Sequence, residues 1–193
     1  MKQFRVLPAK PDLQQLVRKE NPQTPFPVSG KPHLWQEEAT LEHKEIFKCF
    51  KDDHSVEIVK MAKREGHVHL ETLSYGPYRF CGHFVSPSDS VVAFIPLKNA
   101  DGADASSPKV WNQADRQKPE RVIWQIESPF RIPASGFLYI EDFNVRFLML
   151  EYRFKSQPAA DGDGEETQTA VDGDEGTQPA PDVARAEARM KYL

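Results

Sequence analysis

Cysteine is scarce in this chain: Cys49 and Cys81 are the only two in 193 residues. Two thiols cannot staple a small secreted scaffold, so a reducing, intracellular setting is expected, cytoplasmic or nuclear. The opening run MKQFRVLPAKP contains no continuous apolar stretch of the kind that directs export. The longest apolar segments are SVVAFIPL and VRFLMLEY. Both fall far short of the roughly 18 residues that a membrane-spanning helix needs, so no membrane partner is expected. Basic residues form no dense patch, which argues against nucleic acid as a partner. The G-x-S-x-G, P-loop and Rossmann glycine patterns are all missing. Acid pairs such as Asp52 with Asp53, and Glu141 with Asp142, fall in expected turns, where Asp serves the backbone. Cys49 and Cys81 sit in alternating apolar runs as small core residues rather than nucleophiles. The reading therefore leans away from an enzyme.

What is present is sharply divided. All 12 Phe, all 3 Trp and 4 of the 5 Tyr precede residue 155, and an acidic near-repeat follows. From Pro158 to Leu193, nine Asp and Glu face three Lys and Arg, a net charge of −6. The whole chain carries −4, so residues 1–157 sit near +2. This divides the chain into a basic, proline-rich arm (1–33), one folded domain (34–157) and an acidic tail (158–193), in keeping with the size of a single domain.

The arm holds Pro8, Pro11, Pro22, Pro25, Pro27 and Pro32, which keep most of it out of helix. The exception is Pro11 to Glu20, where a proline suited to the first helical position precedes Leu13, Leu16 and Val17 at helical spacing. A short helix is predicted there. The rest of the arm is expected to run extended along a surface as a strap on its own domain.

Between Thr40 and Phe154, short runs rich in Val, Ile, Phe and Tyr alternate with turn residues. That rhythm predicts a mainly β domain, an antiparallel β-sandwich or a jelly-roll, cupin-like barrel of about eight strands. EIFKCF, SVEIVKMA and HVHLETL read as successive hairpin strands, with KDDH and KREG as turns. For Leu34 to Phe50, periodicity leaves both helix and strand open. Residues 98–120 form a long polar loop containing Trp111, a candidate binding residue. In the final run, Val145, Phe147, Met149 and Glu151 alternate with Arg146, Leu148, Leu150 and Tyr152. Both faces are largely apolar, which predicts a strand at the centre of the structure or beneath a helix.

One cluster has metal-ligand chemistry. His67, His69 and Glu71 are two residues apart, so on a regular strand they share a face, and His83 follows a hairpin later. Two imidazoles, a carboxylate and a third imidazole would suit iron, manganese, nickel or zinc. The run Ile132, Pro133, Ala134, Ser135, Gly136, Phe137, Leu138, Tyr139, then Asn144, resembles the second motif of cupins. That resemblance covers about 25 residues and implies a double-stranded β-helix. It departs from the family in placing Tyr139 where a metal histidine belongs, and in placing Glu71 directly after Leu70.

The tail repeats DGDGEETQTA and DGDEGTQPA hold no core-forming residue and are expected to be disordered. The closing PDVARAEARMKYL has Asp182 as a candidate N-cap and Glu187 four residues before Lys191, which predicts a short helix. Val183, Met190, Tyr192 and Leu193 are then candidate docking residues for a protein partner. The leading expectation is a non-enzymatic protein-binding or assembly protein without cofactor, able to form homo-oligomers. The alternatives are a metal-dependent cupin-like enzyme and a viral or phage β-sandwich subunit.

Overall fold

The computed structural model describes residues 5–64, 66–98, 109–111, 120–122, 124–125, 128–141 and 145–156. The expectations for the acidic tail, and for most of the 98–120 loop, lie outside these residues. In chain order the elements are β1 (Arg5–Val6), α1 (Pro11–Lys19), β2 (Phe26–Val28), β3 (Lys31–Gln36), α2 (Leu41–Arg64), β4 (His67–Phe80) and β5 (Gly82–Val85). They continue with β6 (Ser90–Leu97), β7 (Lys109–Trp111), β8 (Glu120–Arg121), β9 (Phe130–Ile132), β10 (Phe137–Ile140) and β11 (Arg146–Ser156).

The fold is mainly β and its sheets are antiparallel. Among the described residues one has seven strands in the order β1-β9-β6-β11-β4-β3-β2, and the other has four in the order β5-β10-β7-β8. Gly82 stands where the chain leaves the first sheet for the second. Its φ of +126° is open to glycine and costly for other residues. Phe84, Leu138 and Ile140 of the smaller sheet share one core with Phe94, Phe130, Phe147 and Met149 of the larger. A second core lies on the other side of the larger sheet, where Leu13 and Val17 of α1 and Ile46, Phe50 and Ile58 of α2 meet Leu148, Leu150, Tyr152 and Phe154. β11 is thus the middle strand of seven and is covered on both faces, as its double apolar pattern requires.

Helix α1 runs from Pro11 to Lys19, with Asp12 in its first turn and Arg18 and Lys19 in its last, the arrangement that suits the helix dipole. The rest of the arm is integrated into the domain, with β1 pairing β9 and β2 pairing β3.

The expected hairpin strands EIFKCF and SVEIVKMA are instead one helix of 24 residues, α2, so segment 34–157 is not all-β. No Gly or Pro interrupts residues 41–64. The buried positions are His43, Ile46, Phe50, His54, Ile58 and Ala62, spaced three or four apart on one helical face. Two of the six are histidines, so a count of apolar residues alone passes over the stripe. Asp53, expected in a turn, pairs within the helix surface with Lys10.

His54 gives this helix a pH dependence. It is buried against Phe50, ring centroids 4.8 Å apart, and its Nε2 has no partner among the described residues. Burial lowers its pKa from 6.5, with Lys10 acting the same way and Asp53 and Glu57 opposing. Because the folded value lies below the unfolded one, the unfolded chain takes the proton first. Stability is therefore full above pH 6.5 and is lost as pH falls through the interval below it. His54→Leu should flatten that loss in urea unfolding followed across mildly acidic pH; an unchanged slope would contradict this account.

Candidate functional site

The four residues of the metal reading do not come together. Along the β4–β11 ladder the register passes from Arg153↔Glu71 to Phe154↔His69, so two steps on β4 match one on β11. Leu70 is the extra residue of a β-bulge, and the alternation of faces resets there. His67 and His69 consequently lie toward the helices, with ring centroids 6.4 Å and 5.7 Å from that of Phe154. His69 Nε2 is 2.9 Å from Thr72 Oγ1. Glu71 points to the opposite face and accepts a hydrogen bond from Arg153. His83 is in the other sheet, its ring 4.7 Å from that of Tyr139, which is its cross-strand neighbour. Among the described residues no group of three His, Cys, Asp or Glu could hold a metal ion.

The turn that resembles a cupin motif has a local cause. A Cβ on Gly136 would stand 2.9 Å from the Pro133 carbonyl oxygen, and Ser135 takes a φ of +56°. Ser86 fastens the turn, its Oγ accepting from the Gly136 amide at 2.8 Å and donating to the Pro133 carbonyl.

Trp111 forms the end of β7, opposite Phe137. Val183, Met190, Tyr192, Leu193 and Asn144 lie outside the described residues. Cys49 is half-buried and burial raises its pKa, which keeps the thiol protonated and unreactive. Cys81 donates to the Glu141 carbonyl at 3.3 Å.

Two clusters of charge were invisible to sequence reading. In the first, Arg146 Nε donates to Glu37 Oε1 at 2.7 Å, and its Nη2 donates to Glu20 Oε1 at 2.7 Å. Its Nη1 reaches Glu20 Oε2 at 3.1 Å and the Lys98 carbonyl. Arg79 Nε adds a bond to Glu37 Oε1 at 3.0 Å, and the Gln23 amide donates to Glu37 Oε2 at 3.1 Å. His43 Nδ1 accepts from the Thr40 amide at 3.0 Å, which leaves Nε2 to donate to Glu20 Oε1 at 3.1 Å. Burial works to raise the pKa of Glu20 and Glu37. The hydrogen bonds and charge of Arg146, with His43 at Glu20 and Arg79 at Glu37, overturn it and hold both below 4.5. The side chains of Arg146, Glu20 and Glu37 have no solvent exposure. A substrate cannot reach them, so this cluster is a clamp joining the end of α1, the segment after β3, the start of α2, β4 and β11.

In the second cluster, Glu151 accepts from Arg153 Nε at 3.0 Å, Ser90 Oγ at 2.8 Å and Tyr75 Oη at 3.2 Å. It ties β11 to both of its neighbours.

The accessible feature is the side of β4 turned away from β11. β3 pairs β4 only at Tyr78, Arg79 and Phe80, whereas β11 follows β4 down to His67. Among the described residues, 67–74 therefore have a strand on one side only. Val68 and Leu70 of this stretch are 42 % and 59 % exposed. Above it, between α2 and β4, lies an open groove of about 340 Å³ lined by Lys44, Phe47, Lys48, Lys51, Asp52 and Ser74. The three lysines follow one another at helical spacing, beside the buried stripe. The buried Ser74 Oγ has no partner among the described residues.

Comparison with protein-family models, with curated proteins and with solved structures finds no match to this chain. The geometry of the edge and groove is therefore the basis for any functional reading. Among the described residues no helix is long and apolar enough to cross a membrane.

Proposed function

We propose that this chain is a non-enzymatic protein-binding or assembly module, a β-sandwich that takes an extended segment of a partner protein along the open edge of β4. The observation that carries this reading is the one-sided pairing of residues 67–74 beside exposed Val68 and Leu70. An edge strand offers unpaired amides and carbonyls to any extended chain that approaches, and side-chain contacts at alternate positions add specificity. Edges that must stay unpaired are usually blunted with lysine or proline. HVHLETLS contains neither; its protective devices are the bulge at Leu70 and the half-exposed carboxylate of Glu71, which is paired with Arg153. Pairing with β4 of a second copy would use the same edge and close into a two-fold dimer, which is the assembly form of the same reading.

The test is selection of peptides from a random extended library against the purified chain, followed by amide hydrogen exchange. Binders are expected to slow exchange within residues 67–74, and Val68→Lys combined with Leu70→Lys should abolish binding while leaving the melting temperature nearly unchanged. Binders that protect other strands, or that tolerate both lysines, would overturn the assignment.

A further inference from the structure

We infer that the groove between α2 and β4 is a docking site for the chain's own acidic segment, residues 158–182. The groove is cationic: Lys44, Lys48 and Lys51 line it against the single carboxylate of Asp52. Ser74 adds a hydroxyl donor with no partner among the described residues. The segment has the opposite charge, with eight Asp and Glu between Asp161 and Asp182 and no Lys or Arg.

Spacing matches as well as charge. On a helix, four residues advance about 6 Å, which is the step from Lys44 to Lys48. In an extended chain, two residues advance about 6.6 Å. Asp161, Asp163 and Glu165 are separated by single glycines. Extended, they present carboxylates to one side about 6.6 Å apart, close to the Lys44–Lys48 step and longer than the step of about 4.5 Å from Lys48 to Lys51, while the intervening glycines leave the other side free to lie close to a strand. Asp172 and Asp174 repeat the pattern.

The segment starts in the right place. β11 ends at Ser156, opposite His67, and Ser74 lies seven residues further along β4, roughly 23 Å at strand rise. Asp163 is seven residues beyond Ser156, a reach of up to about 24 Å that just spans this distance, whereas Asp161 falls short at about 17 Å; the acids from Glu165 to Asp182, Asp172 and Asp174 among them, have the length to lie in the groove. Lys63 and Arg64, at the end of α2 and just before β4, offer an attractive start to the same path.

The contact itself does not depend on strand addition. Its consequence rests on that reading: an occupied groove would lay the segment beside the 67–74 edge, so that partner and segment compete. The experiment is carbodiimide coupling of the full chain at high dilution, which joins amines to carboxylates only where they touch, with mass spectrometry of the digest and an isotope-labelled copy mixed in. Links within one chain are expected from Lys44, Lys48 and Lys51 to the acids of 163–182. They should fade as salt rises from about 0.01 M to about 1 M, because the screening length falls from about 30 Å to about 3 Å. They should vanish in the triple variant Lys44→Glu, Lys48→Glu, Lys51→Glu, whose folding is checked by its melting temperature. Links spread evenly over Lys19, Lys60 and Lys155, or confined to pairs of different copies, would overturn the proposal. Peptide binding at the edge would survive that failure, and should tighten in the triple variant if segment and partner compete.

Discussion

Arg146→Met is expected to cost about 3–5 kcal/mol in urea unfolding at neutral pH, because it removes one partner of a buried ion cluster and leaves the others uncompensated. Arg146 bonds both carboxylates, and neither it nor they are exposed. Without it, Glu20 keeps His43 and Glu37 keeps Arg79 and the Gln23 amide, too little to offset two desolvated charges. The carboxylates should then bind protons more readily in the folded state, and the variant should respond to acid differently from the parent. In the parent both folded values lie below 4.5. Their contribution is therefore present above that pH and is lost as pH falls through the depressed values. In the variant that acid-side loss should shrink or reverse. Combining Arg146→Met with Glu20→Gln and Glu37→Gln should recover part of the stability, since the carboxylate charges leave together. A single substitution that costs under 1 kcal/mol would mean that water reaches the cluster.

The second large effect is expected at Phe147. Its ring is 2 % exposed and lies 5.2 Å from Phe94, 5.9 Å from Trp124 and 6.4 Å from Tyr78, in edge contacts at the centre of the core between the sheets. Phe147→Ala removes the ring at a site where the neighbours, held by β6 and β4, cannot close the gap. The loss should be about 3–5 kcal/mol. Phe147→Leu keeps most of the volume and should cost less than half of that, a contrast readable by thermal or urea unfolding. Equal losses would point to the edge contacts rather than to packing volume.

These two neighbours on β11 also show what the sequence could and could not reveal. The double apolar pattern of residues 145–152 foretold a covered strand, and the proline and leucines of 11–19 foretold α1. Both signals are local. The partners of Arg146 are not: Glu20 is 126 residues away, and the only hint was an arginine on a face otherwise made of Leu148, Leu150 and Tyr152. Helix α2 was hidden by its composition, because β-branched residues and an Asp-Asp pair imitate strands and a turn. The unbroken absence of Gly and Pro from 41 to 64 was the better signal. The metal reading assumed strict alternation from His67 to Glu71. One bulged residue, set by pairing with a strand more than 80 positions later, was enough to separate the donors. The open edge was unreadable for a related reason, since it depends on how far β3 runs beside β4.

The position of β11 has a consequence for how the chain is made. β4 and β6 share it as their common neighbour, and among the described residues no ladder joins them directly. Until residues 146–156 have left the ribosome, the larger sheet exists only as two unconnected parts, β1-β9-β6 and β4-β3-β2. At the usual pace of synthesis, about 5–20 residues per second, the 76 residues from Cys81 to Ser156 must follow β4 before the keystone strand is complete, a wait of several seconds. Throughout that wait residues 67–74 of β4 have both edges open, and Glu20 and Glu37 stand without Arg146. Completion of the larger sheet is therefore a late event, dependent on the emergence of a single strand.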